Sequence, residues 1–125
     1  MTDLVDVREL TKLAEDIGAA WAKVAPEVTA ATLAVGRKIQ ADARASAPRG
    51  HARLYPNSIT TTTKRTARGI EVEVGPNKDL PQGALGNLLE FGSSNNGPHP
   101  HLVPAWENAQ PAWINDVVRA LDRGI

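Results

Sequence analysis

Apolar residues recur at intervals of three and four through the start of the chain: Leu4, Val7, Leu10, Leu13, Ile17, Trp21 and Val24. That spacing lays one apolar stripe along an amphipathic helix, with Thr2 or Asp3 placed to cap its start. Pro26 interrupts the pattern. Proline has no amide hydrogen and crowds the preceding turn, so it suits the first turn of a new helix better than a helix interior. The pattern predicts a second helix from about Pro26 to Ser46, with Val28, Thr32 or Leu33, Val35, Ile39 and Ala43 inside. The alternative is one long helix kinked at Pro26. Gly36 should weaken this helix slightly.

Beyond Ala47-Pro48-Arg49-Gly50-His51 the period changes. Ser58–Thr66 is rich in β-branched residues and suits a strand. Ile70-Glu71-Val72-Glu73-Val74 alternates cleanly, and with a turn at Gly69 the two runs predict an antiparallel hairpin. Lys64 and Arg65 could then face Glu71 or Glu73 across it. Gly75–Gly83 reads as a loop. Ala84–Phe91 fits a short helix or a strand, because eight residues are too few for periodicity to decide. Gly92–Pro100 reads as a loop and Leu102-Val103 as a brief strand. Pro104 suits the first turn of a final helix, Ala105–Leu121, with Trp106, Ala109, Trp113, Val117 and Leu121 on one face and Pro111 able to bend or split it.

The sum is one α+β domain over residues 1–125. It has a helical region at 1–46 (two N-terminal helices, or one kinked long helix), a small antiparallel β-sheet region with long loops at 56–104, and a C-terminal helix at 105–121. A chain of 125 residues fits one domain and can bury roughly two thirds of its unfolded surface. With no cysteine, disulfides and thiolate metal sites are excluded. The opening MTDLVDVREL has early acids and no unbroken apolar core, so it is not read as a signal peptide. No apolar run approaches the roughly 20 residues of a membrane span. Aromatics make up only 4% (Trp21, Tyr55, Phe91, Trp106 and Trp113), which suggests closely packed, alanine-rich helices and a core completed by neighbours.

Net charge is zero but unevenly spread. Residues 1–30 carry six acids and three bases, residues 31–68 eight bases and one acid, and residues 69–125 seven acids and three bases. Such zones either cancel within one subunit or favour head-to-tail contact between like subunits.

Candidate chemistry is thin. His99 and His101 flank Pro100 with Glu107 nearby, but a strand-like His-Pro-His points its rings to opposite sides, and no helical His-x-x-x-His exists. No metal or other cofactor is expected. No serine sits in a Gly-x-Ser-x-Gly elbow. Glu90 lacks a partner acid and reads as a carboxylate that caps a backbone turn or pairs with a base. Gly83-x-x-Gly86 lacks the Lys-Ser/Thr of a phosphate loop. No catalytic residue is assigned. The basic middle has no interleaved aromatics and no zinc-finger or helix-turn-helix pattern, so it could touch phosphates only without reading sequence.

The order of motifs resembles a known family. Alanine-rich N-terminal helices lead to Ala-Pro and a loose Leu-x-x-x-Ser-Ile (Leu54, Ser58, Ile59). A hairpin follows, then Leu-Glu-Phe-Gly-Ser (Leu89–Ser93), then Pro-His-Pro-x-Leu-x-Pro-Ala (Pro98–Ala105) and a terminal helix. This resembles the HK97 gp10-like family of tailed-bacteriophage proteins over nearly the whole chain. Two departures stand out. His101 occupies a place where the family often has an aromatic, and Gly50-His51-Ala52-Arg53 replaces a Thr-Gly.

The resemblance implies a structural, non-enzymatic virion protein of the neck or tail, assembled in the host bacterial cytoplasm. It would form a homomeric ring, hexameric or dodecameric, that joins or completes the tail against head-completion, tail-terminator or tail-tube proteins. Genomic DNA would pass through the lumen unread, and no membrane is involved. Residues expected at subunit or partner contacts are Glu90, Phe91, Gly92, Asn95, His99, His101 and Trp106. Those expected toward DNA or an acidic partner are Arg49, Arg53, Lys64, Arg65 and Arg68. The alternative is a small sequence-nonspecific DNA-binding or regulatory protein using the basic 37–68 segment.

Overall fold

In a computed structural model, residues 7–50, 52–66 and 69–124 are described. Helix α1 spans Val7–Ser46. A 3-10 turn, Pro56–Ser58, leads into strand β1, Ile59–Thr66, which pairs with β2, Gly69–Pro76. A second 3-10 turn, Gly83–Leu85, opens α2, Gly86–Phe91, and the long helix α3 spans Leu102–Gly124. The class is α+β, as the pattern predicted. The expected cap at Thr2 or Asp3, together with Leu4, His51 and the side chains of Val7, Leu10, Leu13 and Ile17, lies outside the described residues.

Of the two readings at Pro26, the single long helix is the one observed. Pro26 is exposed and sacrifices one backbone hydrogen bond on the solvent side. The apolar stripe stays in phase across it, with Val24 buried before it and Thr32, Ile39 and Ala43 buried after it. Tertiary burial along that stripe outweighs the local cost.

α3 lies antiparallel along α1. Arg123 pairs with Glu27 at 2.7 Å, the Trp113 indole donates to Thr32 Oγ1 at 3.1 Å, and Ala105 and Ala109 share a core cluster with Ile39 and Ala43. The helix starts at Leu102, so the brief strand expected at Leu102-Val103 and the start at Ala105 are both corrected. Its buried face is also rotated from the expected one. Ala105, Ala109 and Ala120 are buried, whereas Trp106 remains 39% exposed. Alanines let the two backbones approach closely, and the larger side chains settle beside the contact line. Pro111, exposed, does not split the helix.

The hairpin places Lys64 opposite Glu71, as expected, and Arg65 opposite Ile70. Ile70, Val72 and Val74 are half-buried toward α1 while Glu71 and Glu73 are exposed. β1 is anchored to α1 by Thr61 donating to Gln40 at 2.6 Å and by Arg44 Nε donating to the Ile59 carbonyl at 2.8 Å. β2 crosses α1 at Gly36, where a Cβ would stand 2.5 Å from Val72 Cγ1 and 3.3 Å from Thr61 Cγ2. Gly36 is therefore a contact point of helix and sheet.

Alanine normally stabilises a helix over glycine by about 1 kcal/mol. At Gly36 the sign should reverse. Gly36→Ala is expected to lower the urea midpoint, because the stiff Val72 must yield, at a cost on the order of 1–3 kcal/mol.

Candidate functional site

The polar centre of the molecule is built by Glu90 from the short helix α2. Its carboxylate is 3% exposed and faces the start of α3. Oε1 accepts the backbone N–H groups of His101 at 3.0 Å and Leu102 at 2.8 Å, and Oε2 accepts that of Val103 at 3.2 Å. The first amides of a helix have no partner within it and carry the positive end of its dipole. A carboxylate there satisfies both needs. Burial pushes the Glu90 carboxyl up, but the three amides and the adjacent His101 outweigh it and hold the group below its ordinary value.

His101 is fully buried between Glu90 and Tyr55. Its Nδ1 lies 2.8 Å from the His99 carbonyl and 3.1 Å from Glu90 Oε1, and its Nε2 lies 2.6 Å from the Tyr55 hydroxyl. Nδ1 faces only acceptors, so it carries a hydrogen that it donates to the His99 carbonyl beside the carboxylate, while Nε2 and the Tyr55 hydroxyl share a second hydrogen bond. The Tyr55 and His101 rings meet edge to face, with centroids 5.3 Å apart. Burial, and then the nearby Glu90 charge, push the Tyr55 hydroxyl up to about 12. Ser58 donates to the Tyr55 carbonyl at 2.6 Å, locking the 3-10 turn beneath it. Among the described residues no buried side-chain nitrogen or oxygen lacks a partner. The cluster organises backbone, and a substrate cannot reach groups with no open surface.

What the cluster holds in place is the 92–100 turn. Gly92 has φ +80 and its amide donates to the Leu88 carbonyl at 2.8 Å, while a Cβ there would crowd Pro98 N and Asn96 O. Only glycine fits that conformation and that space. Ser93 Oγ accepts the amides of Asn95 and Asn96, and the His99 amide returns to the Leu89 carbonyl at 2.8 Å. The turn is thus stapled at both ends. Beside it Phe91 is 69% exposed and Leu88 45% exposed, next to a hollow of about 380 Å³ that Leu88 lines with Leu85, Leu89 and His99.

The predicted contact residues divide accordingly. Phe91, Asn95 and His99 are exposed, Gly92 is half-buried, and Trp106 lies against Trp113 along α3, with ring centroids 5.9 Å apart and planes tilted by 54°. Glu90 and His101 are inside and can act on a partner only through the turn they hold. Arg49 donates to the carbonyls of Ala45 and Arg44 and so caps the end of α1, with exposed Arg53 near the same end. Lys64 and Arg65 lie toward the other end of β1, roughly 20 Å along the strand from Ile59 at about 3.4 Å per residue. Arg68 lies outside the described residues.

His99 and His101 do part, one to solvent and one to the core, and among the described residues no group of three His, Asp or Glu comes together to hold a metal ion. Gly83 and Gly86 pack against the Asn77 carbonyl and the Pro76 ring. Tyr55 was missed. Its one signal in the sequence is that the only tyrosine precedes Pro56.

These features define a small α+β protein whose polar interior is devoted to presenting a loop. The chain belongs to the HK97 gp10-like family: that family's model, described as "Bacteriophage HK97-gp10, putative tail-component", matches residues 6–92. The matched span runs from α1 through Glu90-Phe91-Gly92 and stops short of the Pro98–Ala105 motif and α3. No curated protein and no solved structure gives a significant match. Membership makes the chain a bacteriophage tail component. Among the described residues no helix is long and apolar enough to cross a membrane.

Two pH limits follow. Because the folded Glu90 carboxyl titrates below its ordinary 4.5, its stabilisation is complete above that pH and disappears as pH falls through the folded value. Glu90→Gln keeps one acceptor but turns an amide donor toward the helix. It is expected to cost about 1–3 kcal/mol in urea titrations at neutral pH and to flatten the acid limb. On the alkaline side, the raised Tyr55 value means stability holds to pH 10 and falls between 10 and about 12. Tyr55 is the only tyrosine, so tyrosinate absorbance against pH reads this group directly.

Proposed function

We propose that the chain is a structural protein of the phage neck, forming a homomeric ring, hexameric or dodecameric, that completes or joins the tail to the DNA-filled head. The observation that carries this reading is Phe91, a large apolar side chain left exposed at the end of α2, beside a turn that a buried carboxylate fixes in place. An exposed aromatic side chain on a fixed backbone gains by burial when it docks, and aromatic anchors of this kind dominate interfaces. Family membership supplies the tail context. The proposed contacts are Phe91, Asn95, His99 and Trp106 at the surface, with Glu90, Gly92 and His101 setting the turn's shape.

A ring needs two unlike surfaces on each subunit. The acidic 69–125 segment and the basic 31–68 segment offer a charge complement between neighbours. The reading places the chain in the virion, after assembly in the host bacterial cytoplasm, against head-completion, tail-terminator or tail-tube proteins. Arg49 and Arg53 near one end of the body, and Lys64 and Arg65 toward the other, suit backbone contact with DNA in transit better than a sequence-reading surface.

Phe91→Ser tests it. The variant is expected to keep the parent melting temperature within a few degrees, because the side chain is already largely exposed, and to lose ring formation and incorporation into particles of its phage. Electron microscopy of those particles with labelled protein should locate the parent at the head–tail joint. A parent that stays monomeric at high concentration and is missing from particles would sink the reading.

A further inference from the structure

Asparagine is a chemically labile residue. The backbone nitrogen of the next residue can attack its side-chain carbonyl carbon and close a cyclic imide. The attack requires that nitrogen to be free and uncrowded. Of the chain's seven asparagines, six are held back. Asn87 lies in α2, and Asn108 and Asn115 lie in α3, where helical backbone fixes the following amide. After Asn57 the Ser58 amide donates to the Tyr55 carbonyl at 2.8 Å, and after Asn95 the Asn96 amide donates to Ser93 Oγ at 3.2 Å. Asn77 Oδ1 accepts the Asp79 amide at 2.9 Å, and the bulky Lys78 follows it.

Asn96 is the exception. Gly97 follows it, so no Cβ crowds the approach, and both residues are exposed. Among the described residues neither the Asn96 side-chain amide nor the Gly97 N–H meets a hydrogen-bond partner. The peptide between them is held at its oxygen, to which the Ser93 amide donates at 2.8 Å. A donor on that oxygen stabilises the negative charge that spreads onto it when the Gly97 nitrogen gives up its proton. We propose that Asn96-Gly97 is a self-modification site, where the free chain cyclises and Asn96 becomes aspartate and isoaspartate.

The only co-reactant is water. The Gly97 nitrogen gives its proton to water or hydroxide and bonds to Asn96 Cγ. The Cγ–Nδ2 bond breaks, and Nδ2 takes up a proton and leaves as ammonia. Water then opens the imide on either side of the Gly97 nitrogen. Cleavage at Cγ leaves aspartate in an unaltered main chain. Cleavage at the main-chain carbonyl leaves isoaspartate, with the chain running through Cβ and Cγ. Either product carries a new negative charge. The turn is tied to Leu88 and Leu89 and presses on Gly92, where a Cβ would already stand 2.9 Å from the Asn96 oxygen. The longer main chain of isoaspartate therefore changes the shape of the turn. The reaction belongs to the free chain and does not rest on ring formation.

The full chain, aged at mildly alkaline pH, then denatured and cut after glutamate, releases residues 91–107, which hold Asn95 and Asn96 and no other asparagine. Fragment masses of that peptide are expected to show a carboxyl group in place of the amide at position 96. The aged protein is also expected to become a methyl acceptor for isoaspartyl methyltransferase. A Cβ at Gly97 meets nothing within 4 Å, and the Gly97 φ is not positive. Gly97→Val is therefore expected to fold as the parent does and to lose both signals. Asn96→Gln, whose longer side chain must close a larger ring, is expected to lose them too, and it decides the matter if Gly97→Val fails to fold. An Asn96 that stays intact on ageing, conversion at another asparagine in its place, or a Gly97→Val variant that ages like the parent would each overturn the site. Aspartate with no methyl acceptor would overturn the lengthened turn.

Discussion

One carboxylate sets the geometry of this molecule. The first amides of α3 emerge in the interior, where water cannot serve them, and each unpaired amide there would cost on the order of 1–3 kcal/mol. The residues just before that helix, His99-Pro100-His101, offer no serine, threonine, aspartate or asparagine to cap it. The cap is imported from Glu90, eleven to thirteen residues upstream. Joining α2 to the start of α3 fixes where the long helix begins, and hence how it lies along α1. It also pins both stems of the 92–100 turn, the backbone beside which Phe91 is exposed.

The scarcity of aromatics shapes the rest. Where α1 and α3 touch, alanine meets alanine and isoleucine, and the backbones approach until only small side chains fit. Larger groups are moved to the margins. Trp113 reaches across to Thr32, whose hydroxyl in turn donates to the Val28 carbonyl at 2.8 Å. Trp106 leans on Trp113 and stays partly open. Tyr55 is the one large aromatic buried outright, and it is held by hydrogen bonds at its hydroxyl and its carbonyl.

Local patterns in the sequence foretold local structure. The hairpin followed from its β-branched run and its alternation, with Lys64 opposite Glu71. The end of α1 at Ser46 followed from Ala47-Pro48. Glu90 as a capping carboxylate was legible because no partner acid stood near it. The errors arose where distant residues decide. Leu102-Val103 reads as a strand in isolation and becomes helix because Glu90 supplies its first amides with an acceptor. Gly36 reads as a weak helix residue until β2 is placed over it. The packed face of α3 is offset from its most hydrophobic stripe, since close approach rewards Ala105 and Ala109 over Trp106. Tyr55 and His101 lie 46 positions apart, and no short-range pattern joins them.

The pairing of α3 with α1 has a consequence for the order of events in the cell. The contacts that lock it join residues 81 and 96 positions apart, Trp113 to Thr32 and Arg123 to Glu27. Closing so long a loop is slow compared with forming helices and hairpins, and it waits for the far partner to exist. α3 is synthesised after every other described element. Until it leaves the ribosome, the inner face of α1 is without its main cover, and chaperones or sister chains compete for that surface. Translation of the last helix therefore sets the moment at which the first becomes unavailable to them.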